Sequence, residues 1–170
     1  KINSDIINAI LKLGDYQSNK TIKEVDFGAT TFEGLGENSF KFVSGCTSLT
    51  TITIPLTKKT TVKKEPDFSA ENIFQEGTEE KMVVPAGILS GYISQESLTT
   101  LIIPDGYETI ADGAFIYMGF LEKVVLPKTL EVIGTNAFNS CYNVTEIEFP
   151  STLRSIKDAA FFNAKINDLK

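Results

Sequence analysis

A 23-residue period governs the second half of this 170-residue chain. LTTLIIPDGYETIADGAFIYMGF from Leu98, LEKVVLPKTLEVIGTNAFNSCYN from Leu121 and VTEIEFPSTLRSIKDAAFFNAKI from Val144 align without a gap. A fixed period of this length marks a solenoid, in which each unit buries its apolar face only by stacking on its neighbours. The apolar columns agree position by position. Leu98, Leu121 and Val144 open the units, followed by Leu101, Val124 and Ile147, then Ile103, Leu126 and Phe149. Tyr107, Leu130 and Leu153 come next, then Ile110, Ile133 and Ile156. The pairs Ala114-Phe115, Ala137-Phe138 and Ala160-Phe161 close the pattern.

Each column has a physical role. The alternation at Leu101-x-Ile103 is that of a strand with one buried face. Pro104, Pro127 and Pro150 end the strand, because proline has no N–H to give to a ladder. Asp112, Thr135 and Asp158 recur three residues before the Phe column. All three are good helix N-caps, so the pattern predicts a short helical turn on the far side of each unit. Strands joined by such crossovers must run parallel.

The pattern continues upstream with insertions. Leu49 through Pro55 repeats the strand-and-proline opening, and Ile22 through Phe27 does so earlier, with Ser39-Phe40 through Cys46 as its Phe turn. Met82-Val83-Val84-Pro85 reads as a further strand, which makes about six coils. Residues 56–81 are irregular and read as a loop on the rim. Ile2, Ile6, Ile10 and Leu13 fall at helical spacing before Gly14, which predicts a helix within residues 1–16 capping the first coil. The expected layout is a single domain over 1–170, with the cap at 1–16. Irregular repeats fill 22–97, with a loop insertion near 56–81, and regular repeats fill 98–170.

These units resemble the BspA-like class of leucine-rich repeats, and the element Ile-Gly-x-x-Ala-Phe-x-x-Cys stands intact at 133–141. The resemblance covers roughly residues 22–170. It implies an α/β leucine-rich-repeat solenoid with a one-sided, curved parallel sheet, short helical turns on the convex side and an N-terminal capping helix. It also implies membership in a class common among secreted or surface-attached proteins of bacteria and some protists, with roles proposed in adhesion and protein binding. No catalytic set comes with it. Lys1 is not preceded by an apolar leader, so a targeting segment is expected to have been removed or to lie upstream. Ile166-x-x-Leu169 repeats the unit opening one residue early with no polar cap after it, so either further units follow or an unusual edge is left open.

Composition removes several functions. The chain carries 16 Lys+Arg against 22 Asp+Glu, a net charge of -6, which is the wrong sign for a nucleic-acid surface. It has no His, so imidazole general bases, Ser-His-Asp and Cys-His pairs and most zinc sites are excluded. No stretch of ~18 apolar residues is present to span a membrane. No cofactor is expected. Cys46 and Cys141 occupy one column and read as buried thiols; four coils apart, they would sit ~19 Å from each other, beyond bridging range. Gly34-Leu35-Gly36-Glu37-Asn38-Ser39 resembles a dinucleotide loop but lacks the third Gly and the βαβ setting. Lys58, Lys59, Lys63 and Lys64 read as a solvated basic loop, with an acidic partner as the alternative. Glu146 and Glu148 share one side of a strand, as do Glu24 and Asp26. Their spacing of roughly 6–7 Å suits a glycosidase pair, but no pocket is evident, and a solvated edge or weak cation contact is the simpler reading.

The feature with most functional content is the outward-facing set. One row runs Asp26, Thr53, Val83, Ile102, Val125 and Glu148; the other runs Glu24, Thr51, Lys81, Thr100, Lys123 and Glu146. Val83, Ile102 and Val125 would form an apolar stripe on the concave face, with Thr100, Lys123, Glu146 and Glu148 beside it. Such ground with a polar rim fits a partner site. It fits equally well a row of β-branched residues that merely support neighbouring strands. The reading is a non-enzymatic interaction module at a cell surface or outside the cell, binding a protein or a glycan. The alternatives are a spacer within a longer surface protein and, third, a glycan-hydrolysing protein.

Overall fold

A computed structural model describes residues 22–28, 30–36, 39–40, 46–66, 77–89 and 96–166. In chain order the strands are β1 (Glu24–Asp26), β2 (Thr31–Phe32), β3 (Thr51–Thr53), β4 (Leu56–Thr57), β5 (Lys59–Lys63) and β6 (Thr78–Val84). They continue with β7 (Thr100–Ile102), β8 (Thr109–Ile110), β9 (Lys123–Val125), β10 (Val132–Ile133), β11 (Glu146–Ile147) and β12 (Ser155–Ile156). A first sheet has the order β1-β3-β7-β9-β11, all parallel, one strand from each coil. Leu101 pairs with Val124 and Val124 with Ile147, so residues 23 apart in sequence stack on neighbouring strands as the period requires. We call these the first to fifth coils.

The core lies inside the stack. Leu98, Leu121, Val144, Leu101, Tyr107, Leu130, Ile110, Ile133, Phe115 and Phe138 are each fully buried. Phe115, Phe138 and Phe161 stack with ring centroids 5.2 Å apart at both steps, a spacing set by the distance between coils. The Tyr107 hydroxyl uses its burial differently, donating to the Pro55 carbonyl at 2.6 Å. Burial pushes its acidity to about 12, against the opposing hydrogen bond with Thr57.

Three expectations are corrected here. First, no helix is formed among the described residues; the far side of the coils is a second parallel ladder followed by tight turns. Its pairs β6–β8, β8–β10 and β10–β12 hold two residues each. The cause is backbone handedness. Gly113, Asn136 and Ala159 share a column and have φ of 61°, 57° and 53°; Tyr117, Ser140 and Asn163 share another with 64°, 62° and 62°. A left-handed residue directly after the expected N-cap stops a helix from starting. The Asp112 carboxylate therefore serves the next coil, accepting from Thr135 N–H at 2.7 Å. Thr129 and Thr152 act likewise, each donating to a carbonyl of the preceding coil, Tyr107 and Leu130, at 2.7 Å. The coils approach so closely that a Cβ on Gly134 would lie 2.7 Å from Asp112 N and 2.8 Å from the Ala111 carbonyl carbon. The capping helix expected within residues 1–16 falls outside the described residues.

Second, the described residues of 56–81 are not an irregular loop. β5 and the first part of β6 form an antiparallel hairpin arm, in register from Lys59 opposite Met82 to Lys63 opposite Thr78. Third, β6 belongs to the second sheet, where Val83 pairs with Thr109, so Val83 and Lys81 leave the rows assigned to them. The first sheet accordingly has five described strands rather than six. Cys46 and Cys141 then sit three coils apart, ~14 Å at one strand spacing per coil. Neither cysteine forms a disulfide, and both are buried. Burial raises both, Cys141 to about 12 despite the opposing backbone hydrogen bond from Met118.

Three outcomes are expected. Phe138→Ala removes the middle ring of the stack and should cost about 3–5 kcal/mol in denaturant unfolding, the fifth coil losing amide protection first. Ala159→Gly relieves a left-handed alanine, a gain of roughly 1–2 kcal/mol set against an entropic loss of roughly 0.5–1, and should raise the thermal midpoint by about 2 °C. Neither thiol should react with an aromatic disulfide reagent at pH 8 until denaturant is added, when both do.

Candidate interaction surface

The outward positions of the first sheet make two rows. Register places Glu24, Thr51, Thr100, Lys123 and Glu146 in one, and Asp26, Thr53, Ile102 and Val125 in the other, with Glu148 just past β11. Removal of Val83 shortens the apolar stripe: Ile102 is flanked by Thr53 on one side and Val125 on the other. Val125 is 38% exposed and Ile102 half-buried, whereas Thr53 is 8% exposed. Six of the seven residues singled out from the sequence thus share this face: Thr100, Ile102, Lys123, Val125, Glu146 and Glu148. An open depression crosses it, lined by Lys123, Val125, Lys128, Glu146, Glu148 and Phe149.

One ion pair crosses this face, whose two rows are otherwise acidic at Glu24, Asp26 and Glu148. Lys123 Nζ lies 2.9 Å from Glu146 Oε2 across a directly opposed pair of strand positions, and that carboxylate holds the ammonium above its ordinary value. The pair occupies Glu146, one of the two carboxylates a glycosidase would need. Glu146 and Glu148 are both exposed. No group of three or more metal-ligating side chains occurs among the described residues. The Gly36 N–H donates to Ser39 Oγ at 2.8 Å, and Gly34 has a left-handed φ of 72°. Of the basic cluster, Lys58 pairs with Glu33 and Lys59 with Glu108.

A second set of exposed side chains was missed by the sequence reading. Tyr117, Phe120, Tyr142 and Phe162 are 48%, 43%, 52% and 60% exposed, all in the turns that follow the Phe column. Those turns lead straight into the first sheet: Phe120 precedes β9 by three residues and Tyr142 precedes β11 by four. Tyr142 packs over Gly119, where a Cβ would come within 3.2 Å of its ring, and Asn143 Nδ2 donates to the Gly119 carbonyl at 2.8 Å. Tyr117 is a bulky residue in the left-handed region, where its column partners are Ser140 and Asn163. For Tyr117 the signal was available across the units, since it stands in a column that the next two units fill with Ser140 and Asn163. Exposed aromatic surface beside β-branched residues, over a scaffold pinned by inter-coil bonds, can bind a partner by shape and apolar contact.

Residues 88–170 match the family model described as BspA type leucine rich repeat region, in six copies. Among solved structures, a leucine-rich repeat protein from Eubacterium ventriosum is similar at 21% identity, with a TM-score of 0.56 over 89% of this chain and 33% of that one. A leucine rich cell surface protein from Faecalibacterium prausnitzii is similar at 20% identity, with a TM-score of 0.40 over 85% of this chain and 40% of that one. This chain therefore spans well under half the length of either. No curated protein matches it significantly. Among the described residues no helix is long and apolar enough to cross a membrane.

Proposed function

Residues 88–170 belong to the BspA-type leucine-rich-repeat family, and from that premise we propose that the chain is a non-enzymatic protein-interaction module. Its contact surface is the outer face of the first sheet together with the aromatic turns that border it. The observation that carries this reading is the set of apolar groups open to solvent in two successive coils: half-buried Ile102 and exposed Val125 on the sheet, with exposed Tyr117, Phe120 and Tyr142 on the turns that lead into it. Lys123, Glu146 and Glu148 supply the polar rim, and Thr100 sits beside Ile102 in the neighbouring row. Because the strands and turns are fixed by bonds between coils, little ordering accompanies association, and that rigidity favours binding. The same proposal includes placement at a cell surface or outside the cell, and adhesion as the biological outcome.

The proposal is tested on an array of extracellular proteins and glycans. The expected result is saturable binding to a protein, weakened at least roughly tenfold, or ~1.4 kcal/mol, by the pair Ile102→Lys and Val125→Lys in a chain whose circular dichroism is unchanged. Tyr117→Ser with Phe120→Ser should weaken the same interaction. Saturable binding only to glycans would move the partner to that class, and no saturable binding at all would favour a spacer role.

A further inference from the structure

The β5–β6 arm touches coils that are not its neighbours. It leaves the second coil beyond Thr57 and rejoins it at Val83, and the Thr57 hydroxyl donates to the Val83 carbonyl at 3.2 Å, closing the base. On the third coil Lys59 lies 3.3 Å from Glu108. Lys81 Nζ lies 3.1 Å from the same carboxylate and 2.7 Å from Glu131 on the fourth coil. Glu65, two residues past the end of β5, pairs with Lys157 on the fifth coil, 92 positions away. Glu108 and Glu131 stand just before β8 and β10, whereas Lys157 stands just after β12. The contacts therefore run diagonally across the second sheet.

Two burials mark the diagonal. Val132 lies beside the inward-facing Ile133 on β10, on the side turned away from the core. It is only 7% exposed, yet it lies outside the main core cluster. The Lys81 side chain is 11% exposed, unusual for a lysine. The Lys81 ammonium lies among Glu79, Glu108 and Glu131, and Val132 directly follows Glu131 on the coil that this arm lysine reaches.

We infer that the β5–β6 arm is an ionic clasp laid across the outer side of the second sheet, joining the second to fifth coils into one cooperative block and opening when its charges are weakened. In an unclasped solenoid each coil is stabilised only by the next, so the ends fray independently. The clasp adds links between coils that do not touch. Its groups are Lys59, Glu65, Glu79, Glu80 and Lys81 on the arm, facing Glu108, Glu131 and Lys157 on the coils, with Arg154 next in the Glu108–Glu131 column. Glu80 is engaged by the Thr61 hydroxyl within the arm, and Glu79 lies 3.6 Å from Lys81.

Salt screens such pairs, and acid discharges them. Burial alone would raise Glu108, but hydrogen bonds from Lys81, the Met82 N–H and Lys59 hold it below its ordinary 4.5. Its contribution is therefore complete at neutral pH and is lost as pH falls through that depressed value. Burial likewise opposes the charge on Lys81, but Glu131 and Glu108 outweigh it and hold the ammonium above its ordinary 10.5, so alkali opens the clasp only at extreme pH.

A Val132→Cys thiol reports on opening, against the silent background of buried Cys46 and Cys141. Labelling should be slow at low ionic strength and roughly tenfold faster in 1 M sodium chloride, where the screening length falls to ~3 Å. Glu65→Lys or Lys157→Glu alone should speed it at low salt, and the two together should restore the slow rate. Fast labelling at low salt, indifference to salt and to either reversal, or no restoration in the double variant would overturn the clasp. Should Val132→Cys fail to fold, hydrogen exchange of the β10 and β12 amides in the unmodified chain serves instead. Protection that falls with salt supports the proposal, and protection that does not change refutes it.

Discussion

Hydrogen bonding between coils is the constraint on which everything else depends. The first-sheet strands are two or three residues long, and β8, β10 and β12 of the second ladder are two each, too short to persist alone. Several turn N–H groups donate within their own coil, but those that enter the strands find their partners on the coil before. Thr99 and Thr100 both donate to Thr50, Glu122 and Lys123 to Thr99, and Thr145 and Glu146 to Glu122. Buried side chains follow the same rule: the Cys141 thiol donates to the Phe115 carbonyl at 3.4 Å, across one coil. No buried side-chain nitrogen or oxygen lacks a partner among the described residues. A surface built on such a ladder holds its shape without a ligand.

What was legible in the sequence was whatever repeats. The columns from Leu98 to Phe161 could be read because burial imposes the same demand every 23 residues, and the structure buries Leu101, Val124 and Ile147 on adjoining strands. The errors fell where the local pattern satisfied two demands at once. Met82-Val83-Val84-Pro85 has the look of a first-sheet strand ended by proline, but its register partner is Thr109, and only long-range pairing distinguishes the two ladders. Asp112 followed by Gly113 reads as a helix cap from composition, yet the sign of φ at Gly113 depends on where the next coil lies. The arm was illegible for a related reason: Lys59, Lys63, Glu79 and Glu80 are ordinary solvent-facing residues until the strands carrying them meet.

The candidate surface follows the same division. Ile102 and Val125 were visible because strand alternation assigns sides. The aromatic turns were not, because turns carry no period of burial, and only comparison across units shows Tyr117 standing where Ser140 and Asn163 stand elsewhere. Of the polar members of the face, Lys123 and Glu146 are drawn into one another.

The bond between the Tyr107 hydroxyl and the Pro55 carbonyl sits at the root of the arm, and beside it Thr57 ties to Val83. Together they bring the departing and returning ends of the excursion close to each other on the body of the solenoid. Closing a longer flexible segment between two fixed ends costs only about 0.6 kcal/mol for each doubling of its length. The second coil is thus a socket: it can carry an excursion of almost any size or composition while the repeats on either side keep their stacking, so lineages of such chains can diversify at one point without renegotiating the rest.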